Sequence, residues 1–412
     1  MIHICFCFSD KKGRYSKFVG TAMLSIFENT PEPVTVHILH DKALTQDNRD
    51  KFVYLAGQYN QRVKFYNAEV LCADKMAAIK KNCPKIDKAR FNIATFYRFF
   101  LPYILPYEIE KIICLESNII VNLDISELWQ FELKDKLLAV VPNAFNNGRD
   151  SRDILCVDGL VKPKNYFNAG VLMINLKLLL NEQETIMNGI KFISENTKYA
   201  ANLDQNILNY CFSARSLKVP VKFNRLVKWA RHFKVTQAER MIYHYNSSNS
   251  ALGLGMNMSD PFNRLWLNYF IKTPWLDVDS IDRFYTELMK TRFALQNKLA
   301  SISATVSGKS RAFFVDPAKI DDIKKNFSVR ENEFILIPGE DESSIQTLLD
   351  TMKTLKDSYV FFIMTEKFLK KKFPIDALTK AGFVEGVDFV KGWEFLPEDP
   401  KEFNSFPIIK EI

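Results

Sequence analysis

The sequence predicts an α/β fold with a mostly parallel central sheet, followed by a small C-terminal α/β domain. Short runs rich in β-branched and aromatic residues alternate with stretches of helical periodicity, which is typical of strands joined by crossover helices. Polar residues follow several of these apolar runs, where a parallel sheet places its ligand-binding edge. The chain has 412 residues, more than the roughly 250–300 at which a single core stops growing. Two units are therefore expected.

The first unit opens with alternating strands and helices. Strands are predicted at 2–8, 34–39 and 63–67, and helices at 17–28 and 45–59. The segment NTPEP at 29–33 ends the first helix because proline cannot continue it. Further along, we expect a helix over 88–102 ending at Pro102, a strand over Lys111–Leu115, a buried strand over 166–176 and a helix over 199–212.

Three ranges describe the domain organisation that we expect. The first domain covers 1–275 and closes at the segment Thr273-Pro274-Trp275, a helical linker covers 276–306, and the C-terminal α/β domain covers 307–412. In the last of these, strands are predicted at 311–316, 333–340, 358–364 and 387–395. So short a domain could bury only a modest core by itself.

Composition narrows the class of protein. Hydrophobic residues make up 47% and charged residues 25%, which is ordinary for a soluble protein, and no uncharged stretch is long enough to predict a membrane helix. Seven cysteines without a CxxC pair indicate the reducing cytoplasm. The net charge of +8 favours anionic partners, but no nucleic-acid-binding module accompanies it. The basic and aromatic segment 225–234 could contact a membrane surface or an acidic acceptor.

Familiar phosphate-loop and metal motifs are absent from the sequence. Gly308-Lys309-Ser310 resembles the end of a P-loop but lacks the upstream glycine and strand, and the glycines in 253–257 lack a dinucleotide-binding context. Cysteine and histidine spacing predicts no zinc site. The candidate chemistry therefore lies at the strand ends: Ser9 and Asp10, Glu116 to Asn118, Asn168 to Gly170, Asp204 with Gln205, and His244. A lone histidine of this kind can also be an ordinary core residue.

Five segments carry a resemblance to a known family. They are TFYRFFLP (95–102), YFNAGVLMINL (166–176), LDQNILN (203–209), VPVKFN (219–224) and the HY at 244–245. Together they resemble glycosyltransferase family 8, the retaining UDP-sugar galactosyl- and glucosyltransferases, over about residues 1–275. The resemblance implies a GT-A fold, a Rossmann-like nucleotide-sugar-binding domain. In that fold a strand-end Asp-x-Asp motif binds a divalent metal, usually Mn²⁺, that bridges the UDP diphosphate.

The resemblance implies an altered metal motif in this chain. Glu116-Ser117-Asn118 occupies the Asp-x-Asp position, and His244 matches the family's third ligand. Asn118 offers only a neutral carbonyl oxygen, so affinity for Mn²⁺ or Mg²⁺ should be weakened. The family's glycine and lysine beyond the histidine are also missing, because this chain reads Asn246-Ser247-Ser248-Asn249-Ser250.

The resemblance also assigns donor-binding and catalytic positions. Asp10 and Tyr15 match the uracil contacts, and Arg98 matches an arginine near the donor diphosphate and sugar. Gln205 is placed near the anomeric carbon, and Asp204 at the sugar hydroxyls, although Asp204 could instead be a simple helix N-cap. The full donor-binding set is Phe8, Ser9, Asp10, Tyr15, Arg98, Glu116, Ser117, Asn118, Asn168, Ala169, Gly170, Asp204, Gln205 and His244.

The implied function is transfer of glucose or galactose from a UDP-sugar to a bacterial surface glycan, glycolipid or glycoprotein. The alternative is a catalytically degenerate member that binds nucleotide sugar or glycan as a partner or scaffold. We expect a cytoplasmic protein, peripheral at the inner membrane face, whose C-terminal domain positions the acceptor or forms a homodimer.

Overall fold

The structure of the protein is a computed structural model. It describes residues 1–392 apart from 12, 14, 83–92, 149–150, 152, 233–237, 247–259, 279–280, 283–285, 287–307, 316–319, 321–323, 325–330, 337–342, 365–366, 369–370 and 373–374. The chain divides into two compact units, Met1–Phe284 and Tyr285–Ile412. Most of the predicted linker 276–306 lies outside the described residues, so its helical character stays a prediction.

The described residues of the first unit form ten strands in two sheets. They are β1 (Ile2–Cys7), β2 (Val34–His40), β3 (Arg62–Asn67), β4 (Lys111–Leu115), β5 (Ile119–Val121), β6 (Leu138–Val140), β7 (Val171–Asn175), β8 (Leu217–Lys218), β9 (Arg225–Leu226) and β10 (Ile242–His244). Seven form the central sheet in the order β3-β2-β1-β4-β7-β6-β8, in which β7 runs antiparallel to both of its neighbours. The predicted mostly parallel sheet is confirmed. A smaller sheet has the order β5-β10-β9.

Helices cover both faces of the central sheet. They are α1 (Tyr15–Asn29), α2 (Gln46–Gln58), α3 (Ala68–Leu71), α4 (Ala73–Asn82), α5 (Leu101–Ile104), α6 (Ser126–Trp129), α7 (Asn143–Asn147), α8 (Ile154–Val157), α9 (Leu176–Asn181), α10 (Gln183–Glu195), α11 (Leu203–Phe212), α12 (Val227–His232) and α13 (Pro261–Phe270). Short 3₁₀ turns cover Ile93–Phe100, Pro163–Asn165, Thr197–Asn202, Ser213–Arg215 and Val221–Phe223.

The alternation of side chains along β1 shows why both faces are buried. Ile4 and Phe6 pack into one apolar cluster, together with residues of α1. Cys5 packs into a second cluster on the opposite face, with Cys7 partly buried beside it. Successive side chains of a strand point to opposite faces, so a central strand with apolar residues at every position needs a cover on both sides.

The helix predicted over 88–102 has a different form. Residues 93–100 form a 3₁₀ helix, which is followed by α5. Pro102 does not end a helix but occupies one of the first two positions of α5, where a missing N–H costs nothing. The predicted start at residue 88 lies outside the described residues.

The strand predicted over 166–176 is shorter than expected. Residues 166–170 form a loop, here called the 166–170 loop, and β7 begins only at Val171. Phe167 forms only an isolated antiparallel bridge with Pro142. Its own backbone groups bond to a side chain: the Phe167 N–H donates to Asn209 Oδ1 at 2.9 Å, and Asn209 Nδ2 donates to the Phe167 carbonyl at 2.8 Å. The amide group of Asn209 thus satisfies backbone groups that a longer strand would pair with a neighbour.

The second unit is a small parallel α/β structure, as predicted. Its elements are β11 (Ser310–Phe314), β12 (Phe334–Leu336), β13 (Tyr359–Ile363), β14 (Lys367–Phe368), β15 (Lys371–Lys372), β16 (Phe389–Val390), α14 (Ser343–Leu355) and α15 (Ile375–Lys380). The main sheet has the parallel order β12-β11-β13-β16 and carries its own apolar core. A buried ion pair joins Arg311 Nη2 to Glu333 Oε2 at 2.8 Å.

Within the described part of the chain, no helix combines the length and the apolar character that crossing a bilayer requires. In the segment 225–234, Arg225 donates to the Asn146 carbonyl, and Arg231 forms an ion pair with Asp260. Two of its basic residues are therefore engaged inside the unit. Contact of this segment with a membrane stays a prediction.

Candidate active site

The predicted site residues converge at the carboxyl edge of the central sheet. Strands β1 and β4 are parallel neighbours, so the residues that follow Cys7 and Leu115 emerge at the same edge. Strand β10 pairs antiparallel with β5, in the register His244 to Ile119, which places the histidine at the same position. The 166–170 loop and the start of α11 complete the group.

A carboxylate and an imidazole face each other at the centre of the site. Glu116 Oε2 lies 3.0 Å from His244 Nε2. The backbone N–H of Glu116 donates to the Gly170 carbonyl at 2.9 Å, which fixes the start of the turn after β4. His244 is almost completely buried, whereas the side chain of Glu116 is 34% exposed. The carboxylate is therefore open to a ligand on one side.

Hydrogen bonds determine which nitrogen of His244 carries a proton. Its Nδ1 lies 3.0 Å from Asn168 Oδ1. That Asn168 atom also accepts hydrogen bonds from the Gly170 backbone N–H and from Asn224 Nδ2, both at 3.0 Å, so it must be the oxygen of the amide. Nδ1 of His244 consequently donates to Asn168, and Nε2 is the atom that faces Glu116. A cation bound to Nε2 would take the place of a proton shared with Glu116. Such a partner on the far nitrogen is usual for metal-binding histidines.

Gly170 is required by the close approach of the histidine ring. A Cβ at this position would lie 2.3 Å from His244 Cε1 and 2.5 Å from its Nδ1. Neither distance is tolerated between non-bonded atoms. Glycine therefore allows His244 to pack directly on the 166–170 loop.

Electrostatics keep Glu116 ionised. Burial raises the pKa of this carboxyl, but the charge and hydrogen bond of His244 and the charge of Arg98 outweigh it and lower the pKa to about 2. An ionised carboxylate offers oxygen donors to a cation.

Asn118 is tied to the backbone of the neighbouring strand end. Its Nδ2 donates to the Tyr245 carbonyl at 3.0 Å, while the Tyr245 N–H donates to the Asn118 carbonyl at 2.9 Å. A carboxylate could not make the first of these bonds. The amide therefore has a structural partner in this chain, and its remaining oxygen is the only atom that it could offer to a metal.

Arg98 and Asp204 form a buried pair behind the 166–170 loop. Arg98 Nη1 lies 3.3 Å from Asp204 Oδ2 and donates to the Ala169 carbonyl at 2.9 Å. Burial alone would lower the pKa of Arg98, but the charges of Asp204 and Glu116, among others, raise it above its ordinary value. Arg98 Nε and Asp204 Oδ2 are buried and make no hydrogen bond of good geometry. Both atoms are unsatisfied in the absence of a ligand.

Gln205 is held by a network of polar side chains. Its Oε1 accepts from Asn168 Nδ2 at 2.9 Å and from the Ala169 N–H at 3.1 Å, and its Nε2 donates to the Tyr166 hydroxyl at 2.8 Å. The Tyr166 oxygen also lies 2.6 Å from Asn206 Oδ1. Gln205 therefore joins α11 to the 166–170 loop.

The start of α1 contains the residues predicted to contact a base. Asp10 is buried and accepts from the N–H groups of Tyr15 at 2.8 Å and Ser16 at 3.2 Å, so it caps the helix. Phe8 and Ser9 are buried, and the Ser9 hydroxyl makes no hydrogen bond. Tyr15 is 43% exposed and packs edge-on against Phe18. The Asp10 carboxylate is largely occupied by the helix, which leaves Tyr15 as the more accessible of the two predicted contacts.

Comparison with known proteins gives the family. The profile of Glycosyl transferase family 8 matches residues 3–249, more than half of the chain. This chain belongs to glycosyl transferase family 8. The resemblance found in the sequence is confirmed.

Relatives of this family 8 chain agree with the assignment. It is 24% identical to a lipopolysaccharide 1,2-glucosyltransferase of Escherichia coli over 230 residues, which are 55% of this chain and 63% of the relative. A protein of Haemophilus influenzae is 25% identical over 212 residues, which are 51% of this chain and 60% of that relative. The chain thus matches less than two thirds of the length of either relative.

Two solved structures show the same fold as the family 8 chain. The galactosyltransferase LgtC, solved with donor and acceptor sugar analogs, superposes with a TM-score of 0.53 at 18% identity, covering 68% of this chain and 98% of LgtC. The bifunctional glycosyltransferase WbbM gives a TM-score of 0.51 at 19% identity, covering 68% of this chain and 51% of WbbM. The predicted GT-A fold is confirmed.

A divalent cation is implied by this fold, and two of the three predicted ligands fit one. Glu116 Oε2 and His244 Nε2 lie 3.0 Å apart. Two ligands bound at right angles, each about 2.1 Å from an ion, would be separated by about the same distance. Asn118 lies at the same edge but is bonded to Tyr245. Weakened binding of Mn²⁺ or Mg²⁺ stays a prediction, in which Glu116 and His244 would supply two donors and Asn118 a neutral third.

Sequence reasoning missed the buried amides that support this family 8 site. Asn206, Asn209 and Asn224 are all buried, and each is bonded to a residue of the 166–170 loop. The signal was available: LDQNILN and VPVKFN place amides inside otherwise apolar patterns, where an uncharged polar residue needs a partner.

Exchanging Asn118 for aspartate tests the third ligand. Asn118→Asp is expected to raise Mn²⁺ affinity about tenfold, because a second anionic oxygen would face the cation. It should also lower the free energy of unfolding by about 1–3 kcal/mol, because the Tyr245 carbonyl loses its donor. Calorimetric titration with Mn²⁺ in the presence of UDP, together with urea unfolding, measures both effects.

Asn122→Asp is the matched control for this exchange. Asn122 Nδ2 also donates to a backbone carbonyl, that of Glu239, at 2.7 Å. Its substitution should reduce stability and leave Mn²⁺ affinity unchanged. If Asn118→Asp likewise reduces stability without raising Mn²⁺ affinity, the side chain of Asn118 does not face the metal.

Proposed function

We propose that this protein is a retaining hexosyltransferase that moves glucose or galactose from a UDP-sugar to a glycan, glycolipid or glycoprotein of the bacterial surface. One observation carries the proposal. Glu116 and His244 of one pair, Arg98 of the Arg98–Asp204 pair, and Gln205 all bond to the single 166–170 loop at one sheet edge. The lipopolysaccharide glucosyltransferase among the relatives supports an acceptor of this class.

Charge at the site suits a donor diphosphate. When bound, a divalent cation would supply positive charge to the diphosphate and to the departing UDP. Glu116, His244 and Asn118 would hold it. The family's lysine beyond the histidine has no counterpart in the sequence at 246–250, of which 247–250 lie outside the described residues. Arg98 is buried and positively charged beside the 166–170 loop, which makes it the cation of this chain best placed to offset negative charge there.

The reacting face of the sugar is assigned to the start of α11. Asp204 Oδ2 is buried and lies 3.3 Å from Arg98 Nη1, but it accepts no hydrogen bond of good geometry, which suits an acceptor for a sugar hydroxyl. Gln205 Oε1 already accepts two hydrogen bonds, and an amide is not basic, so Gln205 cannot act as a proton acceptor. Its carbonyl dipole can instead stabilise the positive charge that develops at the anomeric carbon.

A second candidate function is nucleotide-sugar or glycan binding without turnover. The observation in its favour is Asn118, whose amide replaces a carboxylate and is bonded to the Tyr245 carbonyl. Loss of metal charge reduces stabilisation of the leaving group more than it reduces binding of the sugar.

We assign this activity to the cytoplasm, at the inner face of the membrane. In support, all six cysteines that the structure describes are free thiols, as expected in a reducing compartment. A role of the second unit in acceptor positioning or in homodimer formation remains a prediction.

Metal-dependent donor binding and turnover test the proposal. UDP should bind with additional heat when Mn²⁺ is present, and UDP-glucose or UDP-galactose should be hydrolysed slowly without acceptor. Gln205→Ala should lower hydrolysis about a hundredfold, whereas the exposed Gln58→Ala at the end of α2 should not change it. UDP binding without hydrolysis of either sugar nucleotide would favour the non-catalytic function. If UDP does not bind and neither sugar nucleotide is hydrolysed, a nucleotide-sugar site is excluded.

A further inference from the structure

Three cysteines from two neighbouring strands meet on one face of the central sheet. Cys5 and Cys7 are two residues apart on β1, so their side chains point to the same face. Cys114 lies on the adjacent strand β4, directly paired with Cys5. The three Sγ atoms all lie within 4.8 Å of one another. Cysteine and histidine spacing along the chain gave no hint of this group, because the parallel pairing of β1 with β4 creates it.

The spacing of the sulfurs suits a single soft cation. Three thiolates bound to one Zn²⁺ at about 2.3 Å, with tetrahedral angles, would be about 3.8 Å apart. Side-chain rotations that move each sulfur by less than about one ångström would bring all three sulfurs to bonding distance of one ion. Thiolate sulfur selects soft ions such as Cu⁺ and Zn²⁺ over the hard Mn²⁺ and Mg²⁺.

The surroundings favour such an ion. Cys5 and Cys114 are fully buried, whereas the residue Cys7 is half-buried. Arg98 interacts electrostatically with both Cys7 and Cys114. Three thiolates and one Zn²⁺ would carry a net charge of about −1, which this guanidinium partly offsets.

We propose that Cys5, Cys7 and Cys114 form a thiolate site that binds one soft cation, Zn²⁺ or Cu⁺, and so connects β1 to β4. Each thiol releases its proton to solvent as its sulfur bonds to the ion. The bound ion cross-links the two strands whose carboxyl ends carry Asp10 and Glu116. This site is separate in its ligands and in its metal preference from the Glu116–His244 pair.

Metal titration of the full-length, reduced, metal-free protein tests the proposal. Co²⁺ serves as the spectroscopic substitute for Zn²⁺, and Cu⁺ is titrated without oxygen in a second arm. We expect one equivalent of ion to produce a sulfur-to-metal charge-transfer band. An oxygen and nitrogen site such as Glu116–His244 cannot produce that band. Binding of Co²⁺ and Zn²⁺ but not Cu⁺ would identify a zinc-type site, and the reverse result a copper-type site.

Two cysteine variants make the test specific. Cys7→Ser removes the most accessible sulfur and should weaken binding more than tenfold, since loss of even an indirect metal partner typically costs about 10–100-fold. Cys211→Ser changes another half-buried cysteine, whose thiol donates to the Thr185 carbonyl, and should leave binding and the band unchanged. Absence of the band in the unsubstituted protein, or equal affinity of Cys7→Ser, would overturn the proposal.

A measurement on the unsubstituted protein covers the case in which Cys7→Ser does not fold. Saturating Zn²⁺ should protect Cys7 from alkylation by iodoacetamide, as followed by peptide mass spectrometry, while Cys211 continues to react at its metal-free rate. Equal alkylation of Cys7 with and without Zn²⁺ and Cu⁺ would count against the site.

Discussion

Gly170→Ala is expected to lower hydrolysis of the UDP-sugar, and metal-dependent binding of UDP, by about a hundredfold. The added Cβ would lie 2.3 Å from His244 Cε1, 2.5 Å from its Nδ1 and 2.9 Å from Asn168 Oδ1. The imidazole must therefore move by about an ångström, and a displacement of this size at a catalytic site can cost about 10²-fold in rate. Calorimetry with UDP and Mn²⁺, together with a hydrolysis assay, measures the two losses.

Gly57→Ala provides the matched control. Gly57 lies in α2, and a Cβ there would have no neighbour within 4 Å. The substitution should leave activity unchanged and increase the free energy of unfolding by about 0.5–1 kcal/mol, because alanine is the better helix former. The backbone of Gly170 does not have a positive φ, so the effect expected at that position is steric. Normal metal-dependent UDP binding by Gly170→Ala would show that His244 does not hold the ion.

Arg98→Met should lower the free energy of unfolding by about 3–5 kcal/mol. The substitution leaves Asp204 buried without its cation and removes a hydrogen bond to the Ala169 carbonyl. An uncompensated buried charge costs about this amount. Urea unfolding at neutral pH measures the loss, and donor binding should fall with it because the 166–170 loop is no longer anchored.

A double variant shows how much of the lost stability comes from the unpaired Asp204 carboxylate, and a surface ion pair serves as the control. Arg98→Met combined with Asp204→Leu should regain much of the lost stability but no activity, because the unpaired carboxylate is then gone. Arg215→Met breaks the Arg215–Glu182 pair, in which the arginine side chain is 54% exposed, and should cost less than about 1 kcal/mol. Equal costs for Arg98→Met and Arg215→Met would mean that the buried pair does not stabilise the fold.

Local patterns were sufficient to predict strands β1 to β4 and the sheet edge at which the predicted site residues meet. The strand at Lys111–Leu115 was predicted with its observed bounds, because a short apolar run ends at a charged residue. The direction of β7 could not be read from its residues. Its run of apolar side chains is buried on both faces and would look the same in a parallel strand.

Hydrogen bonds between residues far apart in sequence were the part of the site that could not be predicted from the sequence. Asn118 was interpreted as a poor metal ligand, but its bond to the Tyr245 carbonyl joins residues 127 positions apart. The pair Asn168 and Asn224 is separated by 56 positions. No local periodicity relates such residues. Only the meeting of β5 with β10, and of the 166–170 loop with the 3₁₀ turn Val221–Phe223, determines which amide is bonded to which partner.

The packing of Trp275 extends the catalytic unit beyond the part that the family profile recognises. The indole ring fills the space that a Cβ at Gly20 would occupy, packs on Phe52 with ring centroids 4.7 Å apart, and donates to Asn48 Oδ1 at 2.7 Å. Asn48 in turn reaches Asp10 at 3.5 Å. A chimera that kept only residues 1–249 of this chain would lack Trp275 and would leave a cavity beside α1. Any recombinant form that keeps α1 packed as it is here must retain the chain through this tryptophan.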